Sequence, residues 1–139
     1  MNANMFFPLA TIALLIGGVA NTALSAPDQE QNYQGVRYAC AGVSADSRDD
    51  PRWQSYPAKF VFAGSDGTYL GDVSVTIDKS AGGTVFAAHC QSPWVLVDLP
   101  PGRYRVAASA GQSPKQSFDL AVDSQGQTER VVRFPDIAN

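Results

Sequence analysis

Two cysteines and a single histidine are the side chains of this sequence best suited to chemistry. His89 directly precedes Cys90, and Cys40 lies about 50 residues earlier. A thiolate beside an imidazole is the arrangement that nucleophilic cysteines use. If residues 84–90 form a strand, however, neighbouring side chains point to opposite faces, so His89 cannot easily meet Cys90. A Cys40–Cys90 disulfide is the better interpretation if the chain reaches an oxidising compartment.

Other reactive sets are missing from the sequence. A zinc site needs three or four well-placed ligands, and one His with two paired Cys does not supply them. The sequence contains no Gly-x-Ser-x-Gly elbow, no phosphate-binding loop and no Asp-rich calcium loop. Asp66 and Asp72 lie near a glycine turn, where they are interpreted as turn-forming residues. We therefore expect no enzyme activity, no cofactor and no metal.

Four side chains are candidates for binding. Trp94 alternates with Val95 along a predicted strand, so one of the two points away from the core, although a core position for Trp94 is equally compatible. An exposed Trp would suit sugar stacking or a protein interface. Trp53 lies in a proline-bounded segment, where it either binds or covers the fold. Arg103 and Arg105 share one strand face and form either an anion-attracting patch or an ordinary solvated face.

The beginning of the chain has the composition of a secretion signal. Residues 1–26 contain none of the 23 charged residues (10 Lys and Arg, 13 Asp and Glu). A nearly apolar run is followed by small residues, which is the pattern of a cleavable signal peptide. Cleavage after Ser25 or Ala26 is expected. The alternative is an uncleaved anchor, but the run is about 16 residues and spans need about 20.

Charge also limits the partners. The formal net charge is −3, and the basic residues are scattered along the chain instead of forming a stripe. This distribution argues against a nucleic-acid partner. After cleavage of the signal, no membrane span is expected, and the protein is predicted to be periplasmic or secreted.

Beyond residue 57 the hydrophobic pattern has a period of two. Val73, Val75 and Ile77 alternate with polar residues, which is typical of a half-buried strand. Turn-forming stretches separate the short strands, which indicates an antiparallel β-sandwich. Strands are predicted over 36–43, 59–62, 73–78, 84–90, 94–98, 103–108, 117–122 and 128–134.

Three regions are expected. Residues 1–26 are the signal peptide, and residues 58–135 are the sandwich. Residues 27–57 are a polar segment, disordered over 27–34, that also holds the first strand and a short helix. Pro51 suits the first turn of that helix, and Pro57 would end it.

One motif resembles a known family. Residues 99–106 read Leu-Pro-Pro-Gly-Arg-Tyr-Arg-Val, which resembles the Leu-Pro-Pro-Gly-x-Tyr-x-Val signature of carboxypeptidase regulatory-like domains. The motif residues are Leu99, Pro100, Pro101, Gly102 and Tyr104. Together with residues 38–43, Arg48 and residues 67–77, the chain is similar to small exported proteobacterial proteins built on this domain.

The resemblance implies an all-β fold, an antiparallel seven-stranded Greek-key sandwich of the transthyretin type. It also implies a non-catalytic role, because such domains usually lack one. We therefore expect a binding or assembly module whose partner is a protein or a glycan of the cell envelope. The alternative is a carbohydrate-binding module that uses exposed Trp and Tyr.

Overall fold

The described part of the chain is an all-β sandwich. A computed structural model describes residues 28–137, so the predicted signal peptide lies outside the described residues. The elements run β1 (Glu30–Tyr33), β2 (Val36–Ala41), helix α1 (Ala45–Arg48), a 3-10 helix (Pro51–Ser55), β3 (Ala58–Gly64), β4 (Val73–Lys79), β5 (Thr84–Cys90), β6 (Trp94–Val97), β7 (Gly102–Ala110), β8 (Gln116–Val122) and β9 (Thr128–Phe134).

Two sheets form the layers. One has five strands in the order β1-β2-β6-β3-β9, and the other has four in the order β5-β4-β7-β8. The described residues thus form nine strands, two more than the seven that the resemblance implies and one more than the eight ranges predicted from the hydrophobic pattern. Every strand pair is antiparallel except β3 with β9, which run parallel. β1 and β2, which come from the segment 27–57, belong to the five-stranded sheet.

The expected disorder over residues 27–34 is wrong for Glu30–Tyr33. These residues form β1, which pairs with β2 along its whole length. Tyr33 packs edge-on against Phe86 of the opposite sheet, with ring centroids 5.7 Å apart. Glu30 accepts a hydrogen bond from Tyr56 Oη at 2.9 Å. Long-range contacts of this kind order a strand whose sequence is polar.

The single short helix predicted before Pro57 is present as two shorter ones, α1 and the 3-10 helix, which are separated by Asp49 and Asp50. Ser44 caps α1, because its hydroxyl accepts a hydrogen bond from the backbone N–H of Ser47 at 3.1 Å. Pro51 begins the 3-10 helix, where its missing N–H costs nothing. This segment lies across the outer face of the five-stranded sheet and covers it.

The protein has two hydrophobic clusters. The larger fills the space between the sheets and includes the alternating residues Val73, Val75 and Ile77 of β4. The smaller lies between the five-stranded sheet and its helical cover, and it consists of Ala39, Ala41, Trp53, Tyr56, Val61, Trp94 and Leu96. All four residues of β6 are therefore buried, since each face of that strand meets one cluster.

The predicted disulfide is present. Cys40 on β2 is bonded to Cys90 on β5, with Cα atoms 5.6 Å apart. The bond joins the two sheets within the larger cluster, and both cysteines are fully buried. No free thiol exists in the described residues, so Cys90 has no nucleophilic role beside His89.

Candidate functional site

Neither tryptophan offers an exposed face. Trp53 is 3% exposed and Trp94 is 8% exposed. The Trp53 indole N–H donates a hydrogen bond to the backbone oxygen of Ser47 at 2.7 Å. The ammonium of Lys59 lies 3.5 Å from the centre of the Trp94 ring. Of the alternatives open for the two residues, the structure has the core position for Trp94 and the covering position for Trp53. Neither is exposed for sugar stacking, because the helical cover buries the outer face of β6.

Arg103 and Arg105 do lie exposed on one face of β7, as predicted. Arg105 donates a hydrogen bond to a carboxylate oxygen of Asp119 on β8 at 2.9 Å, so its charge is paired across the sheet. Arg103 forms no ion pair with any described residue. A single unpaired guanidinium on an open sheet face is an ordinary solvated side chain and not a patch.

The Pro-Pro-Gly motif shapes a turn between β6 and β7. Leu99 is buried at 1% exposure, while Pro100, Pro101 and Gly102 are exposed. The Tyr104 ring is buried at the start of β7, and its hydroxyl donates a hydrogen bond back to the Pro100 carbonyl at 2.5 Å. Burial raises the pKa of Tyr104 above its ordinary value. The motif therefore closes the turn and fixes one wall of a cleft.

This end cleft, as we call it, has a volume of about 340 Å³ and lies at one end of the sandwich. Three segments line it: 54–57 from the helical cover, 98–101 from the Pro-Pro-Gly turn, and 123–127 from the turn before β9. Gln127 ties two of them together, because its side-chain amide donates to the backbone oxygens of Trp53 at 2.7 Å and Tyr56 at 3.1 Å.

The base of the end cleft is held by a network around Tyr56. The guanidinium of Arg37 lies 4.4 Å from the centre of the Tyr56 ring and pairs with Glu30 at 3.1 Å. Arg37 also lies 3.6 Å from the carboxylate of Asp98. Burial, and then the hydrogen bond to Glu30, raise the pKa of Tyr56 well above its ordinary value of 10.0. The Tyr56 phenol therefore stays neutral and acts as a donor.

The lining of the end cleft is acidic and hydroxyl-rich. Asp98 and Asp123 contribute carboxylates, and Ser55 and Ser124 contribute hydroxyls. Arg37 lies beside this lining, 3.6 Å from the Asp98 carboxylate and 3.4 Å from the Ser55 hydroxyl, whereas Asp123 forms no ion pair with another described residue. Asp98 keeps 45% of its side chain exposed. One oxygen of Asp123 accepts the backbone N–H of Gln125 at 2.8 Å, which fixes the carboxylate in place. Such a surface favours a ligand that carries positive charge or many hydrogen-bond donors.

Sequence reasoning missed a second arrangement of polar side chains on the four-stranded sheet. Ser74 of β4 and His89 of β5 are directly opposite each other in the antiparallel register. The Ser74 hydroxyl lies 2.8 Å from His89 Nδ1, and the Asp72 carboxylate lies 2.5 Å from His89 Nε2. The Ser74–His89–Asp72 line has the residue types of a nucleophilic triad.

The surroundings of this line differ from those of an active site. The three residues lie on the outer face of the sheet, with 48% of the His89 side chain and 71% of the Asp72 side chain exposed. Acyl transfer also requires donors that stabilise the developing oxyanion and a cleft that excludes water. A flat, solvated strand pair supplies neither, so the line is best described as a surface hydrogen-bond network.

Two further features are absent from residues 28–137. Within that range, no three His, Cys, Asp or Glu side chains lie close enough together to hold a metal ion. None of the helices in the same range is long and apolar enough to cross a bilayer.

No protein-family model matches the chain, and no curated protein matches its sequence.

Proposed function

We propose that this chain is an exported, non-catalytic binding module of the carboxypeptidase regulatory-like type, which acts in the periplasm or outside the cell. The Leu99–Tyr104 motif supports the family, and the uncharged leader supports export. The Cys40–Cys90 disulfide suits an oxidising compartment. The two-sheet fold is compatible with a transthyretin-like sandwich.

The end cleft is the observation on which the binding role depends. Its walls come from three separate segments, and hydrogen bonds from Gln127 and Tyr104 hold them in place. A preformed cleft binds without the entropic cost of ordering its own walls. Asp98 and Asp123 lie on different segments and both line the cleft.

The ligand that fits this lining is a protein segment that carries Lys or Arg. Carboxylates attract the side-chain cation, and Pro100 and Pro101 offer exposed apolar surface to the rest of the segment. A glycan would need an aromatic platform, but both tryptophans and Tyr56 are buried, and Tyr69, which is 47% exposed, is not among the residues that line the cleft. Sugar binding is therefore the less favoured alternative and serves as one outcome of the test.

The test is a selection from a random peptide library on the purified mature protein, with a glycan array beside it. The double variant Asp98→Asn, Asp123→Asn removes both charges and retains the side-chain oxygen that accepts the Gln125 N–H. Asp46→Asn with Asp49→Asn, at two exposed positions in and directly after helix α1, is the matched control. We expect selected peptides enriched in Lys and Arg whose binding the cleft variant weakens about tenfold or more, while the control leaves it unchanged.

Three results would overturn parts of the proposal. Glycan binding without peptide binding would mean that the ligand is a sugar and not a protein segment. Peptide binding that the Asp98 and Asp123 variant leaves intact would exclude the end cleft. A chain whose leader is still attached after fractionation, shown by mass spectrometry of its N-terminus, would contradict cleavage after Ser25 or Ala26.

A further inference from the structure

Strand β9 leaves one edge of the five-stranded sheet open. It is the last strand in the order β1-β2-β6-β3-β9 and pairs only with β3 among the described residues. Its seven residues, Thr128–Phe134, make a longer edge than the four-residue β1 at the other side. An open edge presents a row of backbone donors and acceptors that another strand can pair with.

The side chains of β9 differ between its two faces. Val132 and Phe134 are buried in the core between the sheets. On the opposite face, Glu129, Val131 and Arg133 are exposed, and Val131 keeps 50% of its surface in solvent. Val131 is one of three large hydrophobic residues exposed in the described part of the chain, and it lies between an acidic and a basic residue on the same face.

We propose that β9 pairs antiparallel with β9 of a second copy of this chain, about a twofold axis through Val131. The order of side chains on the exposed face supplies the reason. About such an axis, Glu129 of each copy lies opposite Arg133 of the other, and the two Val131 side chains meet at the centre. The surface is therefore self-complementary in charge about an apolar centre, as a twofold interface requires.

Neighbouring registers lack this complementarity. A twofold axis through Arg130 would place the two Arg130 side chains opposite each other and Glu129 opposite Val131. An axis through Val132 would place Arg133 opposite Val131 and leave Glu129 beyond the end of the paired strand. Like charges directly opposite across a strand pair are destabilising, whereas opposite charges contribute about 0.2–1 kcal/mol per pair. Only the register centred on Val131 forms two ion pairs.

The charges of β9 could also serve only to keep the edge from aggregating, as charged residues on edge strands often do. Protection needs charge but no particular order of signs. Here the sign changes across Val131, and Glu129 also lies 3.5 Å from Lys59 Nζ on β3, which holds its carboxylate on the exposed face. The order Glu, Val, Arg on one face favours pairing with a copy of itself over simple repulsion.

The expected dimer is weak. One seven-residue strand pair buries less surface than a stable interface of about 1,600 Å². We expect a dissociation constant on the order of 10–500 µM, within the range of transient contacts. Sedimentation equilibrium over about 5 µM to 1 mM of the mature protein covers this range. A chain that stays monomeric at the top of the series would overturn the proposal.

Charge reversal tests the register. Glu129→Arg alone and Arg133→Glu alone each place like charges opposite one another, so each should raise the dissociation constant at least about tenfold. An equimolar mixture of the two variants should form the heterodimer, because every opposite pair is again attractive. The double variant Glu129→Arg, Arg133→Glu should recover the homodimer. Failure of the mixture to associate, with both variants folded by circular dichroism, would exclude this pairing.

A second measurement does not depend on charge. Directly opposed residues of an antiparallel pair have Cα atoms about 4.5–5.5 Å apart, which suits a disulfide. Val131→Cys should therefore give a covalent dimer under mild oxidation. Val43→Cys, at a valine that is 63% exposed on a loop, is the matched control. Equal crosslinking of the two variants would contradict the proposed interface. Neither test involves the end cleft, so the result for the dimer does not depend on whether the cleft binds a peptide.

Discussion

Cys40 and Cys90 join the two sheets of the sandwich at one margin, with Cα atoms 5.6 Å apart. Cys40 lies on β2, which neighbours β6 in the five-stranded sheet. Cys90 is the last residue of β5, an edge strand of the opposite sheet. The opposite margin has no such bond. There Phe60 of β3 packs against Phe118 of β8, with ring centroids 6.1 Å apart. One side of the sandwich is thus closed covalently and the other by side-chain packing.

Removal of the disulfide should greatly destabilise the protein. The bond closes a loop with a sequence separation of 50, and chain-entropy arguments then give about 4 kcal/mol. We expect Cys40→Ala with Cys90→Ala to lower the free energy of unfolding by about that amount, as measured by guanidinium denaturation. Reduced wild-type protein is the control and should unfold at a similar midpoint. A loss below about 1 kcal/mol would contradict a structural role for the bond.

Gly42 is held against the face of Trp94. It has a φ of +93°, and a Cβ built there would lie 2.6 Å from Cγ of the Trp94 ring. Gly35 provides a matched control, because its φ is +91° and a Cβ there would meet nothing within 4 Å. Gly35→Ala should cost about 1 kcal/mol for the backbone conformation alone. Gly42→Ala should cost about 2–4 kcal/mol, since the indole ring must also move.

Thermal or guanidinium unfolding of the two glycine variants measures this difference. Equal losses would mean that the ring moves away freely and that Trp94 is not fixed by its contact with Gly42.

The strands that were predicted well are those in which apolar and polar residues alternate along the sequence and lie on opposite faces of the sheet in the structure. Val73, Val75 and Ile77 face the core of the sandwich, as their period of two predicts. Of the two positions that the alternation left open for Trp94, the core position is the one found, because β6 is covered on both faces and all four of its residues are apolar. A continuous apolar run is itself the pattern of a strand buried on both sides. That signal was present in the sequence and favoured the core position of Trp94.

Other features depend on contacts between separate segments, which the residue pattern within one segment does not predict. The strand β1 has the polar sequence Glu-Gln-Asn-Tyr and is ordered by pairing with β2. The parallel pairing of β3 with β9 joins segments about 70 residues apart. Similarly, Ser74 and His89 meet only because β4 and β5 pair in one register, which shifts at a bulge between Ile77 and Asp78. Hairpin register of this kind could not be read from residue types alone.

Alkaline pH should destabilise the folded protein through Tyr56 and Tyr104. Burial raises the pKa of both phenols in the folded state, and the hydrogen bond to Glu30 raises that of Tyr56 further. In the unfolded chain a tyrosine titrates near pH 10. Above that pH the unfolded chain loses protons that the folded chain keeps, so stability present below pH 10 is lost as the pH rises.

The loss is at most about 1.4 kcal/mol per pH unit for each such tyrosine, and it ends where the folded phenol itself titrates. Denaturation midpoints between pH 9 and 11.5 measure the slope. Tyr56→Phe and Tyr104→Phe should each make the slope shallower, and the double variant should make it shallower still. A wild-type protein whose stability is constant across this range would contradict the proposed burial effect.

The Ser74–His89–Asp72 line should have no hydrolytic activity. Ser74 has an oriented imidazole 2.8 Å away, but the line is solvated and lies on an open strand pair. Wild type and Ser74→Ala should therefore hydrolyse p-nitrophenyl acetate at the same rate, and a fluorophosphonate probe should leave Ser74 unlabelled. His89→Ala should lower the free energy of unfolding by less than about 1 kcal/mol, because exposed pairs contribute little. Labelling of Ser74 that disappears in His89→Ala would instead establish an activated nucleophile and overturn the non-catalytic role.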